Sequence, residues 1–287
     1  MFSTLTILAP GLLGASLGMA AHERRLAERI VVWARRAEGR AACLAAGWCD
    51  SAPADPAEAA AEGDLVVLCP PVEHLLPLLE TIAPTLRPGT LVTDVGSTKG
   101  TICAGADRLM PAGAHFVGAH PMAGSEKSGM EHARADLFAG RPCFLTPTVA
   151  TDAAATERVE RFWQAVGMRT LRETPARHDF TVAHVSHLPH LLASALSVAL
   201  GRQNGSDAWP AVAGAGLRDT TRVAAGHPGL WRDICAQNRP ALQSALGDFR
   251  HALTAFEEAL EREDFDTLEA LLAEGRAYRQ RFDPPPA

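Results

Sequence analysis

Up to Pro175 the chain alternates short β-branched, apolar runs with helical segments. The runs at 5–8, 30–33, 64–68, 89–93, 115–117, 142–146 and 168–171 predict strands. Between them, 15–25, 38–46, 74–86 and 153–166 carry Ala- and Leu-rich helical patterns, two of them stopped by Gly47 and Gly167. Strands that alternate with helices predict a mostly parallel sheet covered on both faces. After Pro175 no strand pattern remains. Residues 179–200 predict a long helix interrupted only by Pro189, and 241–260 and 265–278 predict two more. Leu242, Leu246, Phe249, Leu253, Phe256 and Leu260 are spaced by four and three, the period of a helix packed on helices. Such a stripe serves an intramolecular core or a dimer interface equally well. The expected division is residues 1–174 and residues 175–287.

Composition narrows the function classes. Net charge −6 with a pI near 6.0 gives no reason to expect nucleic acid or an anionic membrane as partner. No uninterrupted apolar run is long enough for a membrane span. The apolar start is broken by Pro10-Gly11, and its charges follow the run, unlike a secretory signal. Six cysteines are scattered without a C-x-x-C pair, which fits reduced thiols and a cytoplasmic location.

The first strand breaks into Ala9-Pro10-Gly11-Leu12-Leu13-Gly14 and then a helix. This strand–glycine–helix form suits a dinucleotide site, where backbone N–H groups at Gly11, Leu12, Leu13 and Gly14 meet a pyrophosphate. The fingerprint G-x-G-x-x-G is incomplete, because Ala9 stands at its first position. An ordinary tight βα turn would read the same way. The second strand runs into Ala34-Arg35-Arg36, where such folds place the acid that holds the adenosine ribose. Without that acid, Arg35 and Arg36 suit a 2′-phosphate, so NADP is expected ahead of NAD; a solvated helix start is the alternative. Cys69-Pro70 ends the third strand and borders the same crevice. The fold class expected is therefore an α/β Rossmann-type domain followed by an all-α domain.

Two further strand ends carry polar groups. Asp94-Val95-Gly96-Ser97-Thr98-Lys99 follows the fourth strand, and His120 ends the fifth. In a parallel sheet Ser97 and His120 face one crevice from neighbouring strands, and a hydroxyl beside an imidazole is an acid/base pair. In the helical part, His184, His187 and His190 recur every three residues, a spacing that does not set all three on one helical face; no metal site is expected. Arg218 and Arg222 are four apart, on one face of a helix. Paired guanidinium groups suit a carboxylate ligand, and a solvated pair with Asp219 is the alternative.

Together, D-V-G-S-T-K, G-A-H-P-M-A-G-S-E-K-S-G, S-H-L-P-H and G-L-R-D-T-T-R followed by P-G-L-W-R-D resemble the prephenate dehydrogenase family, which includes arogenate dehydrogenases. The resemblance covers nearly the whole chain. It implies oxidative decarboxylation of prephenate in tyrosine biosynthesis, with arogenate as the alternative substrate. Hydride leaves C4 for a nicotinamide, the C4 hydroxyl loses its proton, and CO2 departs as the ring becomes aromatic. By that resemblance His120 takes the proton and Ser97 holds hydroxyl and imidazole in register. Arg222 matches the substrate-carboxylate arginine, while Arg218, Ser125, Ser186 and His190 match secondary contacts and Trp231 walls the site. Arg218 stands where the family often has lysine. A homodimer through the helical half is also implied. Two other readings stay open: a β-hydroxyacid dehydrogenase, which lacks its usual lysine because none follows Lys127, and a non-catalytic dinucleotide-binding regulator.

Overall fold

The computed structural model describes residues 2–124 and 129–282. Seven strands form one sheet in the order β2-β1-β3-β4-β5-β6-β7. They are β1 (Phe2–Leu8), β2 (Ala27–Trp33), β3 (Leu65–Leu68), β4 (Leu91–Asp94), β5 (His115–Pro121), β6 (Pro142–Thr146) and β7 (Arg169–Arg172). Strand alternation splits their side chains between two apolar layers. Ile7, Val32, Val67 and Leu91 enter one layer, and Leu8, Val31, Val66 and Val92 enter the other. Helices α1 (Leu12–Glu23) and α6 (Ala153–Val166) cover the first layer. The second is covered by α3 (Pro56–Glu62), α4 (Val72–Ile82) and α5 (Gly100–Leu109). Helix α2 (Ala37–Ala45) follows β2.

The alternation of strands and helices holds, with three departures from the expected pattern. Helix α1 begins at Leu12, three residues earlier than its apolar periodicity suggests, because the turn is tight. Helix α3 lies in a stretch whose alanines give no amphipathic signal; Asp55 caps it by accepting from Ala57 N–H at 2.8 Å. The sheet is not wholly parallel, since β5 and β6 run antiparallel with His120 opposite Phe144.

The helical half continues with α7 (Pro175–Val182), α8 (Leu188–Gly201), α9 (Trp209–Val212), α10 (Ala215–Thr221), α11 (Pro228–Gln237), α12 (Arg239–Glu261) and α13 (Phe265–Gln280). The single helix expected over 179–200 is two helices joined by a π-helical turn at Ala183–His187. Pro189 supplies no backbone N–H to the turn before it, and a widened turn accommodates that loss. Contacts divide the chain into two compact units, Met1–Arg239 and Pro240–Ala287. The first unit holds the sheet and α1 to α11, with Ile234 of α11 in the same apolar layer as α4. In the second unit, α12 and α13 leave Phe249, Leu253, Leu260, Phe265, Leu272 and Tyr278 exposed.

Candidate active site

A cavity of about 960 Å³ opens at the C-terminal ends of β1 and β2, lined by Ala9, Pro10, Gly11, Trp33, Ala34, Arg35, Arg36, Glu38 and Pro70 among others. Gly11, which precedes α1, lines it, so the positive start of that helix lies next to any anion placed there. Ala9 takes a positive φ of 61°, and its N–H donates to Trp33 O at 2.7 Å. This left-handed conformation is the reason glycine is expected at that position. Gly14 serves a different purpose: a Cβ there would stand 3.0 Å from Cys69 Cβ and 3.3 Å from Ile7, so glycine lets α1 rest this closely on the strands without displacing them. Arg40 braces the loop after β2 by donating to Ala34 O at 2.8 Å.

His120 lies near the end of β5 and is buried. Asp94 and Lys99 fix the backbone immediately before it. Asp94 accepts from Ala119 N–H at 2.9 Å and from Gly96 N–H at 2.9 Å, and also from Lys99 Nζ. Lys99 Nζ donates in turn to Ala119 O at 2.9 Å. The β4–β5 ladder ends at Thr93 and Val117, and this fully buried ion pair takes over the pairing of Ala119. His120 Nδ1 is 2.9 Å from His178 Nε2, and His178 Nδ1 is 2.8 Å from Asp179 Oδ1. Asp179 accepts from Lys99 N–H and Gly100 N–H, each at 2.8 Å, at the start of α5. Burial raises the Asp179 carboxyl, but the bonds from His178, Gly100 and Lys99 outweigh it and hold it below its ordinary value. Burial, then the charges of His178 and Lys99, push His120 well below 6.5, so its imidazole is neutral at pH 7.

The π-helical turn brings His187 to the same neighbourhood. Asn238 Nδ2 bridges Asp179 O at 2.8 Å and His187 Nδ1 at 3.1 Å. His187 Nε2 is buried without a partner among the described residues, and burial lowers this group to about 4. Trp231 stands edge-on to His187 at 6.0 Å and stacks on His190 at 3.5 Å. Gly226 permits that stack, since a Cβ there would fall 2.6 Å from Trp231 Nε1 and 2.8 Å from His190 Cε1. Bonds and ring contacts thus run unbroken from His120 through His178, Asp179, Asn238 and His187 to Trp231 and His190.

Two family models cover this architecture. The model described as the prephenate dehydrogenase nucleotide-binding domain matches residues 17–172, and the one described as the prephenate dehydrogenase dimerization domain matches residues 174–274. The chain belongs to the prephenate dehydrogenase family. The prephenate dehydrogenase of Bacillus subtilis is 30% identical over 97% of this chain and 76% of its own length. A cyclohexadienyl dehydrogenase of Zymomonas mobilis is 31% identical over 93% of this chain and 92% of its own. Among solved structures, the prephenate dehydrogenase from A. aeolicus in complex with hydroxyphenyl propionate and NAD+ matches with a TM-score of 0.91, at 29% identity over 99% of both chains. Synechocystis arogenate dehydrogenase matches with a TM-score of 0.85, at 30% identity over 98% of this chain and 100% of that one.

In this member of the prephenate dehydrogenase family, Ser97 is half-buried in the loop between β4 and α5, on the strand beside β5. Gly11, Arg35, Arg36 and Pro70 line the large cavity, while Leu12, Leu13 and Gly14 form the first turn of α1 behind it and Cys69 packs against Gly14. His190 and Trp231 stack on each other, and Ser186 sits half-buried in the π-helical turn. Arg222 opens the short turn that leads to Gly226, beside that stack. Arg218 is drawn elsewhere: it lines a separate cavity of about 310 Å³ with Trp209 and Leu217, and its guanidinium donates to Ala213 O and Pro210 O at 3.2 Å each. Ser125 lies outside the described residues. His184 donates from Nδ1–H to Phe180 O at 2.8 Å. Sequence reading missed His178, Asp179 and Asn238. Their only signal is polarity, within α7 for His178 and Asp179 and directly after α11 for Asn238, and what assembles them is the packing of those helices on the loop after β4.

Proposed function

We propose that this protein is a dinucleotide-dependent dehydrogenase that oxidatively decarboxylates prephenate in tyrosine biosynthesis, with arogenate as the alternative substrate. The observation that carries the reading is His120: a buried, neutral imidazole, held at the end of a sheet strand in a chain of this family. The fit of a dinucleotide is supported by the cavity volume, the helix start at Leu12 and the close approach that Gly14 allows. A bound nicotinamide supplies the hydride acceptor. The chain's own residues do the rest. His120 takes the proton of the ring hydroxyl, and Ser97 positions that hydroxyl against it. Arg222 holds a carboxylate, Ser186 and His190 bound the substrate, and Trp231 forms the wall. The resemblance assigns Ser125 and Arg218 to the outer contacts of the same ligand, although Arg218 bonds to Ala213 O and Pro210 O beside a separate cavity. Aromatisation drives the loss of CO2, so the protein needs only to orient its ligands and accept one proton.

The cofactor expected is NADP. Ala34 leaves the end of β2 without a carboxylate, and Arg35 and Arg36 line the adjacent cavity. NAD is favoured by one observation, the presence of Glu38 on the wall of the same cavity. Residues 1–174 would bind the dinucleotide, and residues 175–287 would carry substrate contacts and a homodimer interface. A cytoplasmic location accords with the absence, among the described residues, of any helix long and apolar enough to cross a membrane.

Initial rates with prephenate and arogenate, each with NAD+ and NADP+, test the reading. Turnover of prephenate with the higher kcat/KM for NADP+ is expected, falling in Arg35→Ala and Arg36→Ala. No turnover of either substrate would exclude the assigned reaction, and an NAD+ preference would exclude the arginine assignment.

A further inference from the structure

Two histidines and a carboxylate lie in a line from β5 to α7, and the donor count along that line has one solution. Asp179 is ionised and can only accept, so the proton between it and His178 belongs to His178 Nδ1. A neutral His178 then presents a bare Nε2, which must accept from His120 Nδ1–H across 2.9 Å. His120 is left with its lone pair on Nε2. We propose that Asp179 and His178 are positioning residues that fix the tautomer and ring orientation of His120, so that Nε2 is its basic nitrogen. The proposal rests on the reading of His120 as the proton acceptor.

The surroundings leave no competing partner for Nδ1 among the described residues. The charged and titratable groups around His120 are Asp94 at the end of β4, Lys99 in the loop after it, His178 and Asp179 on α7, His187 on the π-helical turn and Cys143 on β6. Lys99 is engaged with Asp94 and Ala119 O, and burial raises the Cys143 thiol, which keeps it protonated. His187 is bound through Nδ1 to Asn238. Asp179 in turn is held by two N–H groups at the start of α5, directly after Ser97 and Thr98. The device that orients the base is therefore built on the loop that carries Ser97. When His120 takes a proton on Nε2, its Nδ1–H keeps donating to His178 Nε2, so the ring keeps its orientation and no second proton moves.

Two measurements on the full-length protein test this. Two-bond proton–nitrogen spectra of 15N-histidine-labelled wild type at neutral pH should show His120 and His178 both protonated on Nδ1, assigned with His120→Asn and His178→Gln. A proton on His120 Nε2 would overturn the proposal, whatever the enzyme turns over. In steady-state kinetics with prephenate, His178→Leu should lower kcat by roughly tenfold or more with KM kept. His178→Gln retains an acceptor for His120 and a donor for Asp179, so it should recover most of the loss. Equal kcat in the Leu and Gln variants, or a loss that falls on KM, counts against the relay. Asp179→Asn carries the same expectation of a lowered kcat with KM kept should His178→Leu fail to fold. Wild type inactive on both prephenate and arogenate would sink the assigned reaction while the tautomer result stands separately.

Discussion

At the scale of single residues, chemistry is decided by what surrounds a side chain. Two histidines three residues apart, His187 and His190, differ completely: one is bonded to Asn238, and the other is stacked on an indole. His120 was legible as a candidate because it ends a strand beside a second polar strand end. Its protonation state was not legible, because burial and His178 set it. We expect His120→Asn to lower kcat by roughly two orders of magnitude or more with substrate affinity mostly kept, measured by initial rates and by cofactor-binding titration. Near-normal turnover would remove His120 from the mechanism. Arg222 is exposed at the start of its turn, and Arg222→Ala should mainly raise KM through loss of a charge-assisted contact to the substrate carboxylate. An unchanged kcat/KM would exclude Arg222 from substrate binding.

At the scale of elements, the loop between β4 and α5 is the joint of the site. Its D-V-G-S-T-K motif reads in the sequence as a polar strand end, with Ser97 its evident candidate. The structure gives equal weight to Asp94 and Lys99, which form a fully buried ion pair and grip both backbone groups of Ala119. Removing one partner of such a pair leaves the other charge buried and alone. Lys99→Met should therefore cost about 3–5 kcal/mol of stability by denaturant unfolding. The double variant Asp94→Asn with Lys99→Met should recover part of that loss. A single variant as stable as wild type would show that the pair is not needed to close the sheet here.

At the scale of the whole molecule, neutral histidines tie stability to pH. Burial lowers His120, His178 and His190, and it takes His187 to about 4. The unfolded chain binds protons on these groups near 6.5, before the folded protein does. Their contribution is thus fully present above about 6.5 and is lost as pH falls through the folded values. We expect Tm to fall by roughly 6–12 °C between pH 7 and 4, on the order of a few kcal/mol for His187 alone. A Tm that is flat over that window would mean these histidines are charged in the folded state. The exposed apolar residues of α12 and α13, from Phe249 to Tyr278, supply the surface for the proposed homodimer. Light scattering at micromolar concentration should give twice 30.4 kDa, and the monomer mass would contradict it.

The sequence by itself determined the layered α/β sheet, the dinucleotide turn, the two polar strand ends and the family, because each is written in local periodicity or in a contiguous motif. Only the tertiary structure decided the rest. Ala9 takes a conformation that glycine would adopt freely, because its N–H is captured by Trp33 O on the neighbouring strand. Arg218 donates to the carbonyls of Ala213 and Pro210, partners that helical spacing does not announce. His178, Asp179 and Asn238 acquire their roles from partners between 51 and 80 residues away in the chain. Hydrogen bonds across such separations leave no periodic trace in the sequence. They exist only once the sheet and the helices have fixed the distances.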